Sequence, residues 1–333
     1  MRTSIEALYN HILDPSLAPP ERTPEGLVEH LGGLEIAPGP RSAAVNGAQL
    51  TNGEWVAVVI VEDDVLLTVT DDAGVHVVGA LPADLDPWLG EEPVRRLLVI
   101  GSDARVGENQ LRLRADSLHV LSVVTSTGDG SFVGIPRDSW VRGSKITNLL
   151  PAGGPDFMVE VIEDMSDLDI EGYAAVGFEG FLDLFRALGD LSIDLPNAMR
   201  SGNSWDSYPA GEQTLAPQLV LRLARIRKGL PGGDFDRSEN QGLIVLAAMA
   251  MIQEMGIELL PQWIHVFDRF AFTDLDTKAL LTFGATAYLS SPEAISNLVV
   301  PGSLGTVGSA SVVFLGGGAD AVWADAADGM IGN

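Results

Sequence analysis

Residues 94–145 read VRRLLVIGSDARVGENQLRLRADSLHVLSVVTSTGDGSFVGIPRDSWVRGSK, and this stretch decides the fold. Leu97–Ile100 is a short, wholly apolar run, the pattern of a strand buried on both faces. Gly101-Ser-Asp-Ala-Arg105 lies at its carboxyl end. Arg114-Ala-Asp116 opens a second strand over 117–124. A third, Ser131–Ile135, stops at Pro136, which cannot donate to a ladder. Carboxylates and arginines therefore gather where strands of one sheet begin and end, which is where open α/β sheets build ligand sites.

Working outward, 333 residues suffice for one large domain and a small one. The formal net charge is −26 with only three lysines, which argues against general nucleic-acid binding and against charge-driven docking on anionic lipid. Against so acidic a background, arginines cluster at 95–142 and 222–237, two stretches that would have to meet in space to form a positive pocket. The absence of cysteine excludes disulfides and thiolate metal sites. The five histidines show no metal-ligand spacing, and His119, in mid-strand, reads as a packed core residue. The longest apolar run, Leu243–Ile252, is about half of what a bilayer span needs. The amino terminus shows no signal-peptide pattern, so the sequence taken literally describes a soluble, cytoplasmic chain.

Residues 1–90 read as a small α+β accessory module. Two helices, Ser4–Leu13 and Glu25–Leu31, precede strands from Glu35 to Gly79, including Trp55–Val61 and a hairpin of Val65–Thr70 with Val75–Val78. Pro82–Pro93 has linker composition. Residues 94–333 alternate helices and strands at the spacing of an α/β sandwich: helices near Asp156–Met165, Phe181–Leu188, Phe235–Glu254, Thr277–Phe283 and Pro292–Leu298, with strands at Tyr173–Phe178, Leu191–Leu195, Leu298–Pro301 and Ser311–Leu315. Residues 197–217 read as loop-rich.

Two parts of this second region carry chemistry. Asp103 and Asp116 could share a divalent cation, although two carboxylates fit turn caps equally well. Arg114, Arg137, Arg225, Arg227 and Arg237 form the second part. If Arg225 and Arg227 lie on a strand, their period-2 spacing puts both on one face. Guanidinium forks bind phosphate oxygens bidentately, so several converging arginines suit a diphosphate.

The succession Gly101-Ser-Asp103-Ala-Arg105, Arg114-Ala-Asp116, Ile135-Pro-Arg137-Asp138, Lys145-Ile-Thr, Gly153-Gly-Pro155, Gly177-Phe-Glu-Gly-Phe181, Ala187-Leu-Gly-Asp190, Ala224-Arg-Ile-Arg-Lys228 and Gly233-Asp-Phe-Asp-Arg237-Ser-Glu-Asn-Gln241 resembles the LytR-CpsA-Psr family, in order, from about Val94 to the carboxyl terminus. The resemblance implies an α/β/α sandwich around a central mixed sheet. It also implies a phosphotransferase that moves a polyprenyl-diphosphate-linked glycopolymer onto a peptidoglycan acceptor. Carried over by motif, Asp103 and Asp116 match the Mg²⁺-linked aspartates. Arg105, Arg114, Arg137, Lys145, Arg225, Arg227, Arg237 and Gln241 match the lipid-diphosphate set. Arg114, Arg137 and Asp138 are the catalytic candidates, Asp138 as a proton acceptor. Leu243, Leu246, Phe178, Phe181 and Phe185 are candidates for the wall of a lipid tunnel. The chain departs from the family pattern at Asn240, expected as arginine, at Thr147, expected as asparagine, and at Pro217, expected as glycine. Family members are usually membrane-anchored and extracytoplasmic, where this sequence begins with the acidic module. A lipid pyrophosphatase and a non-catalytic polyprenyl (pyro)phosphate-binding or regulatory protein are the alternatives the sequence leaves open. A partner-binding protein led by residues 1–90 is the third.

Overall fold

The computed structural model describes residues 2–34, 42–200 and 207–332. Helices α1 (Arg2–Leu13) and α2 (Glu25–Leu31) lead into strands β1 (Ala43–Gln49), β2 (Trp55–Val61), β3 (Asp64–Asp71) and β4 (Gly74–Leu81), which form one antiparallel sheet in sequence order. The expected strand onset at Glu35 lies outside the described residues.

A second, mixed sheet follows. Its strands are β5 (Val94–Ser102), β6 (Ala115–Val124), β7 (Gly130–Gly134), β8 (Gly172–Val176), β9 (Phe272–Thr273) and β10 (Ile295–Val299). Their spatial order is β9-β8-β5-β6-β7-β10: β5, β6 and β7 are an antiparallel meander, β8 runs parallel to β5, and β10 runs parallel to β7. The helices between are α3 (Pro155–Ser166), α4 (Phe178–Leu188), α5 (Pro217–Ala224), α6 (Asp234–Glu254), α7 (Leu260–Phe270), α8 (Thr277–Leu289) and α9 (Gly317–Asp325).

Strand alternation sorts the core. Leu98, Ile100, Leu118, Val120 and Val133 point to one face, where α3 brings Met158, Val161 and Ile162 and α9 brings Trp323. Leu97, Leu121, Val123 and Phe132 point to the other, against Leu246 of α6 and Phe283 of α8. The result is an α/β/α sandwich. A third core joins α4, α5 and the hairpin Leu191–Leu195/Gly211–Leu215 to α6.

The amino-terminal sheet is not a free-standing appendage. One face is covered by α1 and α2 through Leu8, Leu27 and Leu31. The other packs through Val56, Val58, Leu67 and Val69 on Leu260, Ile264, Leu280, Leu281 and Ala285 of α7 and α8. Helix α8 thus serves both sheets, which explains why TKALLTFGATAYL is apolar almost all round. The expected linker, Pro82–Pro93, is built into this junction: Leu89 is buried, Trp88 bridges Ala80, and Arg95 of β5 donates to the Leu89 carbonyl, to Thr282 and to Glu171.

Three assignments change. Residues 197–217, expected as loop-rich, include the strand Gly211–Leu215, which pairs with Leu191–Leu195 and buries Leu215 in the third core. Residues 292–298, expected as a helix, give only a single 3-10 turn, Pro292–Ala294, before the edge strand β10. Residues 217–224, read as leading into an arginine strand, form helix α5, with Pro217 in its first turn and Val220, Leu223 and Ala224 buried at helical spacing. Packing of that apolar stripe against α4 and α6 overrides the period-2 alternation of Leu-Arg-Leu-Ala-Arg-Ile-Arg.

Candidate active site

The site grows from an irregularity in the β5–β6 ladder. Gly101 pairs with Ser117 and Ser102 with Ala115, so Asp116 is an extra residue, a β-bulge. The bulge re-aims the strand, and both Asp116 and Ser117 line the cavity above it. Gly101 permits this close crossing, since a Cβ there would sit 2.8 Å from that of Ser117. Beyond the bulge Asp103 closes the hairpin end: its N–H donates to the Arg114 carbonyl (2.9 Å), and its Oδ1 accepts the Arg114 N–H (3.0 Å).

Opposite lies the turn after β7. Ile146 N–H donates to Ser139 O and Thr147 N–H to Arg137 O, so the Lys145-Ile-Thr segment pins the Pro136–Ser139 turn from behind. Arg137 projects from it to Asp116 Oδ1 at 2.5 Å. Its own N–H donates to Asp234 Oδ2 at 3.1 Å. Asp234, the first residue of α6, is buried and accepts charge from three arginines: Arg237 directly, Arg227 at 3.8 Å and Arg137 at 3.9 Å. Asp138 is held between Lys145 (2.8 Å) and Arg227 (3.0 Å). Burial pushes the Asp138 carboxyl up, but the hydrogen bond and charge of Lys145, with Arg227 and Arg137, outweigh it and hold the group below its ordinary range. For Arg237, burial wins over the pull of Asp234 and lowers its pKa.

These residues border a cavity of about 620 Å³ between the β5–β6 end, α4, α5 and α6. Its polar rim is Asp116, Arg137, Arg222, Arg225, Arg227, Lys228, Arg237 and Gln241. Its wall is apolar: Val99, Ile100, Val176, Phe178, Phe181, Leu221, Ile244 and Val245. Arg225, at the carboxyl end of α5, lies over the Phe178 ring with its guanidinium carbon 4.4 Å from the centroid. Gln241 donates to Ala224 O (3.0 Å), tying α6 to the α5 terminus. On the floor His119 stacks on Phe132, with centroids 4.7 Å apart. Burial, with Arg237 nearby, lowers its pKa to about 4 despite the Ser238 carbonyl 2.9 Å from Nε2, so the imidazole is neutral.

Arg137, Arg225, Arg227, Arg237, Gln241 and Asp116 therefore converge as the sequence expects. Arg105 and Arg114 are exposed, and they, Asp103, Asp138 and Lys145 flank the cavity without lining it. Of the tunnel candidates, Phe178 and Phe181 line it. Phe185 is buried in the α4–α5 core, Leu243 packs on that same core, and Leu246 lies under the sheet, because α6 turns Ile244 and Val245 to the cavity instead. Asn240, where the family pattern has arginine, is buried, and its side chain donates to Met199 Sδ at 3.0 Å. Arg222 and Lys228 of the rim, and Asp234 beside it, are not among the residues the motifs single out. Asp234 stands inside the quoted Gly-Asp-Phe-Asp-Arg motif, but only the fold shows three arginines around it.

Asp103 and Asp116 offer carboxylate oxygens, the donor type a hard cation takes. Each has one carboxylate oxygen engaged, and for the other the described residues supply no partner. Among the described residues no group of three His, Cys, Asp or Glu side chains could hold a metal ion alone. Two carboxylates suit Mg²⁺, which takes its remaining ligands from phosphate oxygens and water. Among the described residues no single helix is long and apolar enough to cross a membrane.

Mixed sheet, bulge, arginine rim and apolar wall define a protein class, and the chain belongs to the LytR_cpsA_psr family, whose description matches residues 88–324. Among its relatives is the polyisoprenyl-teichoic acid–peptidoglycan teichoic acid transferase TagU of Oceanobacillus iheyensis, 28% identical over 224 residues, covering 64% of this chain and 68% of that protein. TagU of Bacillus subtilis is 30% identical over 157 residues, 45% of this chain and 49% of that protein, so the chain spans only about half of this relative. Among solved structures, B. subtilis TagV superposes with a TM-score of 0.57 at 22% identity, covering 71% of this chain and 96% of TagV. TagT bound to LIIa-WTA gives 0.58 at 18% identity, covering 72% and 93%.

Proposed function

We propose that this chain is a Mg²⁺-dependent phosphotransferase that moves a polyprenyl-diphosphate-linked glycopolymer onto a cell-wall acceptor, peptidoglycan. The observation that carries the reading is the two-part cavity: an arginine rim on an apolar wall, in one space of about 620 Å³. A free anion needs no apolar wall, and a plain hydrocarbon needs no arginines. A polyprenyl diphosphate needs both. The names of the TagU relatives support the same assignment.

In this reading Arg137, Arg225, Arg227 and Arg237 hold the diphosphate, while Phe178, Phe181, Ile244 and Val245 pack on the first isoprene units. An acceptor hydroxyl attacks the phosphorus bonded to the glycan. The new O–P bond forms as the bond to the polyprenyl phosphate breaks, and that leaving group departs with the electron pair. The arginines stabilise the charge building on it, and the acceptor's proton is released. Magnesium, held at Asp103 and Asp116, would neutralise phosphate charge. Asp138, clamped by Lys145 and Arg227 and held a weak base, suits aiming those cations better than taking the proton.

Native mass spectrometry of the purified protein tests the ligand class. A bound polyprenyl (pyro)phosphate that Arg137→Ala loses is expected; failure to bind added polyprenyl diphosphate would overturn the reading. Products from a lipid-linked glycan then separate the activities. Glycosyl phosphate on the acceptor marks a transferase, release to water marks a pyrophosphatase, and an intact ligand marks a binder.

A further inference from the structure

We infer that the chain carries a second binding site, a groove for a neutral, hydroxyl-rich glycan chain, running from the active-site wall to the edge of the amino-terminal sheet. The inference rests on the transferase reading only in giving that glycan the role of acceptor.

Two adjoining depressions make the groove. One, of about 420 Å³, is bordered by Gln110, Glu179, Asp183, Asp268 and Phe272. The other, of about 560 Å³, is bordered by Gln49, Trp55 and His265. Thr51 and Arg269 line both, so the two share a border. The inner end abuts the active site: the Gly177 N–H donates to Gln110 Oε1 at 2.5 Å, and Gly177 and Phe178 line the main cavity. The outer end is fixed to the amino-terminal sheet. Thr51 donates from its N–H (2.6 Å) and its hydroxyl (3.0 Å) to Asp268, and the His265 ring nitrogen lies 2.6 Å from the Gln49 carbonyl.

The chemistry selects the occupant. Trp55 and Phe272 leave 46% and 44% of their surface in water although each is a large ring on a strand. An aromatic face carries negative quadrupole charge and attracts the polarised C–H face of a sugar. Glu179 supplies carboxylate acceptors for sugar hydroxyls, and the Gln110 amide nitrogen supplies a donor. Asp183 is paired with Arg186, but Glu179 and Asp268 still outnumber Arg269 along the groove, in a chain of net charge −26, so a phosphate-bearing polymer is disfavoured there and a neutral glycan is not. Gln49, Thr51 and Trp55 lie outside residues 88–324, so one wall of the outer depression comes from a segment that the family match does not include, facing His265 and Arg269 from within it.

Calorimetric titration of the full chain with chitohexaose, a neutral β1,4-linked probe, tests this. Wild type should bind. Trp55→Ala and Phe272→Ala should each weaken binding about threefold to tenfold, about 0.6–1.4 kcal/mol. Trp55→Phe should restore most of it. Arg137→Ala should lose polyprenyl diphosphate and still bind chitohexaose. No binding by wild type, unchanged binding in both alanine variants with circular dichroism intact, or equally tight binding of a polyglycerol phosphate chain would each overturn the groove. Chitohexaose binding without any lipid binding would sustain the groove and sink the transferase.

Discussion

The two sheets of this chain differ in where they leave polar chemistry. The four-stranded sheet is covered on one face by α1 and α2 and on the other by α7 and α8, and strands such as WVAVVIV are buried almost throughout. It exposes mainly its edge, β1. The six-stranded sheet is covered as fully over its middle, but its ladder breaks at Asp116 and its strand ends open onto a cavity. Charged residues are tolerable at such an end because water or a ligand solvates them; the same groups mid-sheet would cost several kcal/mol each. The bulge at Asp116, where the ladder opens onto the cavity, is the boundary between scaffold and site.

The sharpest way to break that division is at Arg137. Replacing it by alanine removes the guanidinium that links Asp116 to the Asp234 cluster. Transfer should fall at least about a hundredfold, as for loss of a group aimed at developing charge, while far-UV circular dichroism stays unchanged. Normal turnover would refute the assigned site.

Next in size is the shared helix. Leu281 is fully buried between α8 and the amino-terminal sheet. Leu281→Ala should cost about 3 kcal/mol or more, read in denaturant, and both sheets should unfold in one transition. Two separated transitions would show that the four-stranded sheet is an independent unit after all.

His119 sharpens the comparison through pH. Its folded pKa of about 4 lies below its ordinary 6.5, so the unfolded chain binds the proton more readily. This residue's contribution is complete above pH 6.5, erodes as pH falls through that value, and levels off below about 4. Between pH 7 and 5 the loss should be about 2 kcal/mol. Measured against His119→Gln, which cannot titrate, the wild type's stability advantage should shrink by that amount; a constant difference would mean that the imidazole is already solvated.

Much of this was legible in the sequence, for definite reasons. Leu97–Ile100, Ser117–Val124 and Ser131–Ile135 are apolar runs with clear stops, and the motif residues Arg137, Arg225, Arg227, Arg237 and Gln241 do converge. Three things needed three dimensions. The bulge has no local signature in Arg-Ala-Asp-Ser. The alternation Leu-Arg-Leu-Ala-Arg-Ile-Arg suits a strand as well as the end of a helix, and only packing against α4 and α6 decides it. Asp234 looks like an ordinary first-turn acid until the arginines around it are seen.

The smallest effect concerns Asp138, which sits beside the site without lining its cavity. Both its carboxylate oxygens are engaged, one by Lys145 and one by Arg227, and it is held a weaker base than an ordinary aspartate. Its contribution should be to aim two cations at the diphosphate, a task an amide performs in part. Asp138→Asn should therefore slow transfer only about tenfold, about 1.4 kcal/mol, and leave polyprenyl diphosphate binding measurable. A general base behaves differently: its removal costs about 10²–10⁴-fold, and the acid limb of the pH–rate profile disappears with it. A loss as large as that of Arg137→Ala, with the acid limb gone, would move Asp138 from the flank of the site into the chemistry.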